Sequence, residues 1–292
     1  MVNIVKRKKG NDDYYYLRHN IRRGKKEREI YIGKKIPKNI EELKQKFLLE
    51  FYREEWIPIT KEIHKNFQKE RKRMPKDIIK KELKNFAIKF IYNTQKIEGS
   101  TLTLKETADL LENGKTPANK PISDAKEAEN HQKLFFELLK FKKDLSLEVM
   151  LSWHKKLFND TKSDIAGKIR DYNVGIGISK FQPPRHQAVP LLLKGFFVWY
   201  NKNKKLLNPV ELAALVHLKI VTIHPFGDGN GRISRLMMIY VLNRFEHPML
   251  NIDYSNRNSY YNALERSQVK ENDIHFLRWF MNQYFKTYSG FW

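Results

Sequence analysis

The sequence predicts an all-α fold with a small β-hairpin at its N-terminus and a second short hairpin near residue 175. Apolar residues recur at the spacing of α-helices through most of the chain after Ile40, which is the first observation. The second is that strict alternation of apolar and polar residues is confined to short stretches. The third is a series of helix start and stop signals, such as the capping box at 103–106 and Gly114. Together they favour helices packed as one body.

The N-terminal region, residues 1–39, is predicted to be a basic β-hairpin. Tyr14–Leu17 and Ile30–Ile32 are rich in aromatic and β-branched residues, and the basic segment Arg22–Lys26 separates them. Pro37 ends the hairpin because proline cannot continue a strand ladder.

Residues 40–135 are predicted to form a helical region, followed by a third region at 136–292. One helix of the first region runs from about 78 to 99, where Gly99 supplies a C-terminal stop. Glu98 then lies in the last turn, where the helix dipole disfavours a negative charge and a cationic partner would be stabilising. The apolar stripe of this helix consists of Ile79, Leu83, Phe86, Phe90 and Ile97. Ser123 and Ser146 are predicted N-caps for the next two long helices.

The segment 173–179 alternates apolar and small or polar residues, which predicts a short strand of a hairpin. Val174, Ile176 and Ile178 carry the alternation, and the glycines between them allow another backbone to approach closely. An ordinary surface hairpin is the alternative interpretation.

Residues 224–232, His-Pro-Phe-Gly-Asp-Gly-Asn-Gly-Arg, are predicted to join two largely buried helices. The first follows the Asn-Pro start signal at 208–209 and runs to Ile223, and the second contains the apolar residues between Ile233 and Leu242. The glycines therefore open the second helix, whose unpaired N–H groups favour a polyphosphate.

The side chains of this loop suit the handling of a nucleotide triphosphate. His224 can accept a proton near neutral pH, and Asp228 is a hard oxygen ligand for a Mg²⁺ that bridges phosphates. The groups suited to binding phosphate are Gly227, Gly229, Asn230, Gly231, Arg232 and Arg235. A glycine-rich turn with solvated charges is the alternative.

The loop resembles the signature HPFx[D/E]GNGR of the Fic family, and Arg235 matches a further arginine of that family. The resemblance implies a helical Fic fold that transfers AMP from ATP, with Mg²⁺, to a Ser, Thr or Tyr hydroxyl of a protein and of itself. By motif position, it implies that His224 is the general base and that Asp228 holds Mg²⁺. It also implies that the glycines, Asn230 and both arginines bind phosphates, and that Phe226 anchors the loop in the core.

Three further segments resemble Fic elements. Thr94, Glu98 and Gly99 fit the inhibitory pattern [S/T]xxxE[G/N], which implies that Glu98 pairs with Arg235 and keeps this arginine from the γ-phosphate. In some members the same glutamate positions water for removing AMP. Residues 174–176 (Val174, Gly175 and Ile176) correspond to a flap that holds a target protein by strand addition. Tyr260 and Tyr261 correspond to a pair that encloses adenine, with core packing as the alternative.

Composition limits the remaining choices. The chain has no cysteine, which excludes disulfides and thiol catalysis, and no apolar stretch long enough for a signal peptide or a membrane span. A cytoplasmic protein without membrane attachment is expected. The net charge of +23 is concentrated early in the chain, with thirteen Lys or Arg against four acids at 1–38 and ten against four at 61–84. This charge favours a nucleic acid or acidic partner only weakly. A basic binding protein with an inactive site is therefore the rival interpretation, and a homodimer stays open.

Overall fold

The structure is a computed structural model and describes residues 2–20, 27–177 and 179–292. Within these ranges the chain forms ten α-helices and one three-stranded sheet. Its contacts divide it into two compact units, Met1–Lys61 and Glu62–Trp292. The division falls inside helix α1 (Ile40–Arg73). The boundaries expected from the sequence, at 39/40 and 135/136, stay predictions.

The first unit contains an antiparallel sheet in the order β1-β2-β3. Its strands are β1 (Asn3–Lys9), β2 (Asp12–Asn20) and β3 (Glu27–Gly33). The sequence predicted β2 and β3 but not β1, because five of the seven residues of β1 are polar or charged and the strand lies at the edge of the sheet. Leu17 of β2 is fully buried, and His19 packs edge-on against Phe51 of α1 at 4.8 Å between ring centroids. The segment Arg22–Lys26, expected to separate two strands, lies outside the described residues.

The second unit is helical. Its elements are α2 (Lys76–Ile97), α3 (Leu104–Asn113), α4 (Ile122–Lys140), α5 (Leu147–Phe158), α6 (Val189–Asn203), α7 (Pro209–Ile223), α8 (Asn230–Arg244), α9 (Arg257–Val269) and α10 (Ile274–Thr287). The antiparallel pair α7 and α8 forms the centre, and twelve of the fifteen residues of each helix are buried. Helices α2, α4, α6 and α10 pack around this pair. The loop between α7 and α8 is thus held by the best-packed part of the molecule.

Most predicted helix ends are confirmed by their capping geometry. Thr103 and Glu106 form a reciprocal capping box at the start of α3, and Gly114 ends that helix with φ of 68°. The side chain of Ser146 caps α5. Ser123 is the exception, because α4 begins at Ile122, after Pro121, so that Ser123 lies inside the first turn.

The segment 173–179 differs from the strand that its alternation predicted. Among its described residues none is assigned to a strand, and the Ser179 N–H donates to the Ile176 carbonyl at 2.8 Å across a turn. Gly177 in this turn has a φ of +34°, and Ile178 lies outside the described residues. The physical reason is the lack of a pairing strand in the described part of the chain, because a strand is stabilised by its neighbour. None of the helices in the described ranges is both long and apolar enough to cross a membrane.

Candidate active site

His224 lies directly after α7 and turns the chain into the glycine-rich loop. Its backbone is left-handed, with φ of 53° and ψ of 58°, a conformation that costs a non-glycine residue about 1–2 kcal/mol. Arg170 holds this turn in place, because its Nε donates to the His224 carbonyl at 2.8 Å and its backbone N–H donates to the Pro225 carbonyl at 3.0 Å. The strained backbone places the imidazole at the wall of a cleft.

Burial lowers the pKa of His224 below the ordinary value of imidazole. The neighbouring Arg170 acts in the same direction, while the Val221 carbonyl, Glu98 and Asp228 act against it without reversing the shift. The Nδ1 atom lies 3.3 Å from the Val221 carbonyl. The ring is therefore neutral at pH 7 and able to accept a proton.

Arg170 is a site residue that sequence reasoning missed. It is only 4% exposed, and its two terminal nitrogens donate to the carbonyls of Tyr172 at 2.9 Å and Pro184 at 2.6 Å. One guanidinium thus joins the glycine-rich loop to both ends of the segment that contains the predicted flap. No sequence pattern marks it, since only its burial among backbone carbonyls sets it apart from the many exposed arginines.

Phe226 anchors the loop in the core, as the resemblance implied. It is fully buried and stacks on His154 of α5, with 3.7 Å between the ring centroids. The Gly167 N–H donates to Nδ1 of His154 at 2.9 Å, so Nε2 carries the proton and donates to the Asp228 carbonyl at 3.0 Å. Burial lowers the pKa of His154 to about 4, which keeps this arrangement neutral. His154 has no metal-ligand spacing to another histidine in the sequence, and its role as a support of the loop was not predicted.

Asn230 fastens the loop to itself. Its Oδ1 accepts from the Phe226 N–H and its Nδ2 donates to the Phe226 carbonyl, both at 2.9 Å. The side chain is 3% exposed. This geometry favours a role in holding the loop, and the phosphate contact expected of Asn230 stays a prediction.

Asp228 is the half-exposed carboxylate of the loop, and two cations contact it. Arg232 reaches both of its oxygens at 3.0 Å, and Lys162 approaches Oδ2 at 2.6 Å. Burial would raise the pKa of Asp228, but Arg232, Lys162 and the Gly229 N–H outweigh it and lower the pKa to about 2. The carboxylate is therefore charged throughout the physiological range.

Arg232 is engaged by protein groups in this structure. It is 3% exposed, forms an ion pair with Glu127 of α4 as well as with Asp228, and lies 4.4 Å above the centroid of the Phe158 ring. The phosphate contact expected of Arg232 therefore competes with these partners. Gly229, with φ of +80°, opens α8 beside the same ring, and a Cβ there would lie 2.3 Å from Cε2 of Phe158. Only glycine fits this position.

Arg235 and Glu98 form the ion pair that the resemblance implied. Nη2 of Arg235 lies 2.5 Å from Oε1 of Glu98 and 3.2 Å from the Thr94 carbonyl. Arg235 is 1% exposed, whereas the Glu98 side chain is 24% exposed. Burial opposes the charge of Arg235, but Tyr260 and Glu98 outweigh it, so the pKa of the guanidinium is raised. The Thr94 hydroxyl is buried and has no hydrogen-bond partner among the described residues.

The first turn of α8 brings Gly231 against this pair. A Cβ on Gly231 would lie 2.1 Å from Oε1 of Glu98 and 3.1 Å from both terminal nitrogens of Arg235. The absence of a side chain is thus what lets the carboxylate of α2 enter the loop. Gly99, with φ of +98°, follows Glu98 and ends α2 as expected. Gly227, at the other end of the loop, lies beneath the Tyr172 hydroxyl.

A cleft of about 680 Å³ opens beside these groups. Glu98, His224, Gly231, Arg235, Tyr260 and Tyr261 contribute to its walls, and Ile176 and Gly177 close one side. Val174 and Gly175 of the expected flap do not line it.

The two tyrosines have different positions. Tyr260 is 1% exposed, and its hydroxyl lies between Arg235 and the buried His217, so it belongs to the core. Tyr261 is 45% exposed and donates to the Ile97 carbonyl at 3.0 Å. Of the pair, Tyr261 is therefore the one that presents a ring to the cleft.

The donor groups fit a Mg²⁺ that is shared with a nucleotide. In the described part of the chain no three His, Asp or Glu side chains are grouped so as to hold a metal by themselves. Mg²⁺ commonly takes one or two protein carboxylates and completes its octahedron with phosphates and water. Asp228, charged and half-exposed at the start of α8, meets that requirement.

Comparison with known proteins points to one family. Residues 144–242 match the Fic/DOC family. The chain is 35% identical over 188 residues to protein adenylyltransferase Fic of Drosophila yakuba, covering 63% of this chain and 37% of that protein. It is 33% identical over 181 residues to protein adenylyltransferase fic-1 of Caenorhabditis elegans, covering 60% and 35%. The matched region thus spans little more than a third of these relatives.

Solved structures agree on the fold. A Fic domain containing signaling protein from Bacteroides thetaiotaomicron superposes with a TM-score of 0.73 at 25% identity, over 79% of this chain and 94% of that one. Fic-1 from Caenorhabditis elegans gives a TM-score of 0.70 at 24% identity, over 88% and 78%. The matched region includes the loop with His224 and α8 up to Leu242, so residues 144–242 of this chain form a Fic/DOC domain.

Proposed function

We propose that this protein transfers AMP from ATP to a Ser, Thr or Tyr hydroxyl of a protein, including itself. The observation that carries the proposal is the meeting of a neutral His224, the glycine-opened start of α8 and a buried Arg235 in one cleft. The names of the related adenylyltransferases support the same reaction.

The cleft offers a place for each part of ATP. The exposed Tyr261 ring is available for stacking on adenine. The first turn of α8 supplies unpaired backbone N–H groups and the positive end of a helix dipole, which favour the phosphates. Arg235 lies next to this turn, where its charge would neutralise the terminal phosphates once Glu98 has moved.

The reaction then requires one proton acceptor and a held nucleotide. The oxygen of the target hydroxyl attacks the α-phosphorus, its proton passes to His224, and the bond from the α-phosphorus to the bridging oxygen of the leaving pyrophosphate breaks. Positioning and charge neutralisation supply most of the acceleration of such a transfer. Asp228 would hold Mg²⁺, which supplies neutralising charge on the phosphate oxygens when it is bound.

Glu98 acts as a brake in this proposal. In the structure its carboxylate accepts a hydrogen bond from Arg235, and both side chains line the cleft. The guanidinium therefore binds Glu98 at the end of α2 in place of a nucleotide phosphate. The target protein is proposed to lie along 173–177, near Val174, Gly175 and Ile176. The lack of a strand partner along this described segment is the observation that supports strand addition there.

Removal of AMP is a second candidate for the same site. Glu98 and His224 line one cleft, so a water between them could be activated in place of a hydroxyl. The nucleic-acid alternative receives less support, because it rests on net charge alone and some cations of the N-terminal unit are paired with its acids, as in Arg7–Glu29, Arg18–Glu27 and Lys34–Asp12.

The group transferred can be identified with labelled ATP. The Glu98→Gly variant is incubated with Mg²⁺ and ATP labelled at either the α- or the γ-phosphate, and Glu98→Gly/His224→Ala serves as the matched control. Protein-bound label from α-labelled ATP alone, absent in the control, supports AMP transfer. Label from γ-labelled ATP would show phosphoryl transfer and contradict the proposal.

A further inference from the structure

Lys162 is a cation of the candidate site that lies outside the loop motif and has no role in the reaction proposed above. It follows α5, and its backbone is fixed by a hydrogen bond from its own N–H to the Phe158 carbonyl at 2.8 Å. Its carbonyl accepts from the N–H groups of Ile165 at 3.2 Å and Ala166 at 3.0 Å. The side chain is 35% exposed, and Nζ lies 5.2 Å from the centroid of the Phe158 ring. Because its backbone is fixed and its side chain is partly exposed, Lys162 can move its charge without moving the loop.

The ammonium joins two carboxylates of different elements. Nζ lies 2.6 Å from Oδ2 of Asp228 in the loop and 3.0 Å from Oε1 of Glu127 in α4. Arg232 contacts the same two carboxylates from the buried side. The four groups form a ring in which positive and negative charges alternate. The Arg232 side chain is only 4% exposed, whereas that of Lys162 is 35% exposed, so Lys162 is the cation of the ring that an ion from solvent can replace.

The surroundings favour a cation at this position. A cavity of about 140 Å³ adjoins the ring, and its lining includes the four carboxylates of Glu98, Asp124, Glu127 and Asp228 against the two cations Lys162 and Arg232. Oδ2 of Asp228 and Oε1 of Glu127 both point at one spot, where Nζ of Lys162 lies. Two carboxylate oxygens around one positive centre are also a partial shell for a hydrated divalent cation.

We propose that Lys162 occupies the metal position of the resting site and is displaced when a divalent cation binds to Asp228. The inference rests on the proposed function, which makes Asp228 the Mg²⁺ ligand. With the metal absent, Lys162 keeps Asp228 and Glu127 neutralised and the loop joined to α4. With the metal present, the ammonium retreats to solvent, along the exposed side of its own side chain. Lys162 is thus a positioning residue that sets how much metal the site requires.

The direct test is binding of Mn²⁺, followed through the EPR signal of the free ion, to protein without nucleotide. We expect Lys162→Met to bind Mn²⁺ with a Kd about tenfold or more below that of the wild type, because the ion no longer competes with a charged hydrogen bond. Lys162→Arg should behave like the wild type. Lys156→Met is the matched control, since Lys156 pairs with Glu137 on the exposed surface. Adding Asp228→Asn to Lys162→Met should remove the gain.

Equal Mn²⁺ binding by the wild type and Lys162→Met, including no binding by either, would overturn the inference. Lys162→Gln gives the answer if the methionine variant does not fold, as judged from circular dichroism. The measurement needs no AMP transfer, so it can succeed in a protein that fails the labelling experiment. Conversely, an active transferase whose Mn²⁺ affinity is unaffected by the substitutions would contradict only the role of Lys162.

Discussion

At the scale of single residues, the candidate site depends on a few buried polar groups that fix a strained loop. His224 adopts a left-handed backbone, and Arg170, His154 and Asn230 each satisfy backbone groups of the loop that follows it. The loop therefore has its shape before any nucleotide arrives, which lowers the entropic cost of positioning the reacting groups.

The proton acceptor can be tested through its pH dependence. Since burial lowers the pKa of His224, the neutral form persists below the ordinary imidazole value of about 6.5 and is lost only at more acidic pH. We expect the rate of the Glu98→Gly variant to fall with acid through a midpoint below pH 6.5. Initial rates of AMP incorporation between pH 5 and pH 8 measure it, and a midpoint above 6.5 would contradict the role of burial.

Arg170 gives a second prediction at this scale. Arg170→Lys keeps the charge, but a lysine cannot donate hydrogen bonds to the carbonyls of His224, Tyr172 and Pro184 at the same time. We expect a loss of about 2 kcal/mol or more in the free energy of unfolding, since charged hydrogen bonds are lost in a buried place. The activity of Glu98→Gly should fall with it. Urea denaturation measures the first effect, and unchanged stability would show that the loop does not depend on this clamp.

At the scale of elements, the site is the junction of α2 with the α7–α8 pair and α9. The end of α2 carries Glu98, and α9 holds that end through the Tyr261 hydroxyl at the Ile97 carbonyl. The Asn93 side chain accepts from the Tyr254 N–H at 2.9 Å and adds a second tie between α2 and the residues before α9. The proposed brake therefore depends on how α2 is docked, as well as on the Glu98 carboxylate.

Tyr261→Phe tests this docking while keeping the ring in the cleft. Loss of the hydrogen bond to Ile97 should loosen the end of α2 and raise self-modification a few-fold over the wild type, as expected for a bond of about 1 kcal/mol. The increase should be smaller than that of Glu98→Gly. Intact-mass spectrometry after incubation with MgATP gives the comparison, and a decrease below the wild-type level would assign the hydroxyl to catalysis instead.

The elements also show what sequence reasoning can reach. Helix ends at Thr103, Gly114 and Asn208 were predictable because capping depends on neighbouring residues alone. Glu98 and Arg235 lie 137 positions apart, so local sequence rules could not predict their pairing. Only the family resemblance implied it. The prediction of a strand at 173–179 was wrong for the described residues, because alternation indicates a strand only where a partner strand exists. Arg170, His154 and Lys162 were missed because each contacts groups that come close only in the folded chain.

At the scale of the whole molecule, several buried histidines couple the stability of the fold to pH. Burial lowers the pKa of His131 to about 3, of His247 to about 3 and of His154 to about 4. The unfolded chain binds protons to these residues near pH 6.5 while the folded chain does not. Stability is therefore complete above pH 6.5 and falls as the pH decreases toward 4.

His131 offers a clean test of this dependence. Neither of its ring nitrogens has a hydrogen-bond partner among the described residues, and the ring packs edge-on against Phe90 at 5.5 Å between centroids. His131→Phe should raise the Tm and flatten its decline between pH 6.5 and pH 4.5, because an unpaired polar ring is replaced by an apolar one of similar shape. Calorimetry at several pH values measures both effects. An unchanged dependence of Tm on pH would show that His131 does not contribute to the loss of stability in acid.

We propose that one cleft combines AMP transfer by His224 with a brake formed by Glu98 on Arg235. The most direct measurement is the intact mass of wild type, Glu98→Gly and Glu98→Gly/His224→Ala after incubation with MgATP. We expect a mass increase of one or more AMP groups on Glu98→Gly, little on the wild type and none on the double variant. Equal modification of the wild type and Glu98→Gly, or modification that survives His224→Ala, would contradict it.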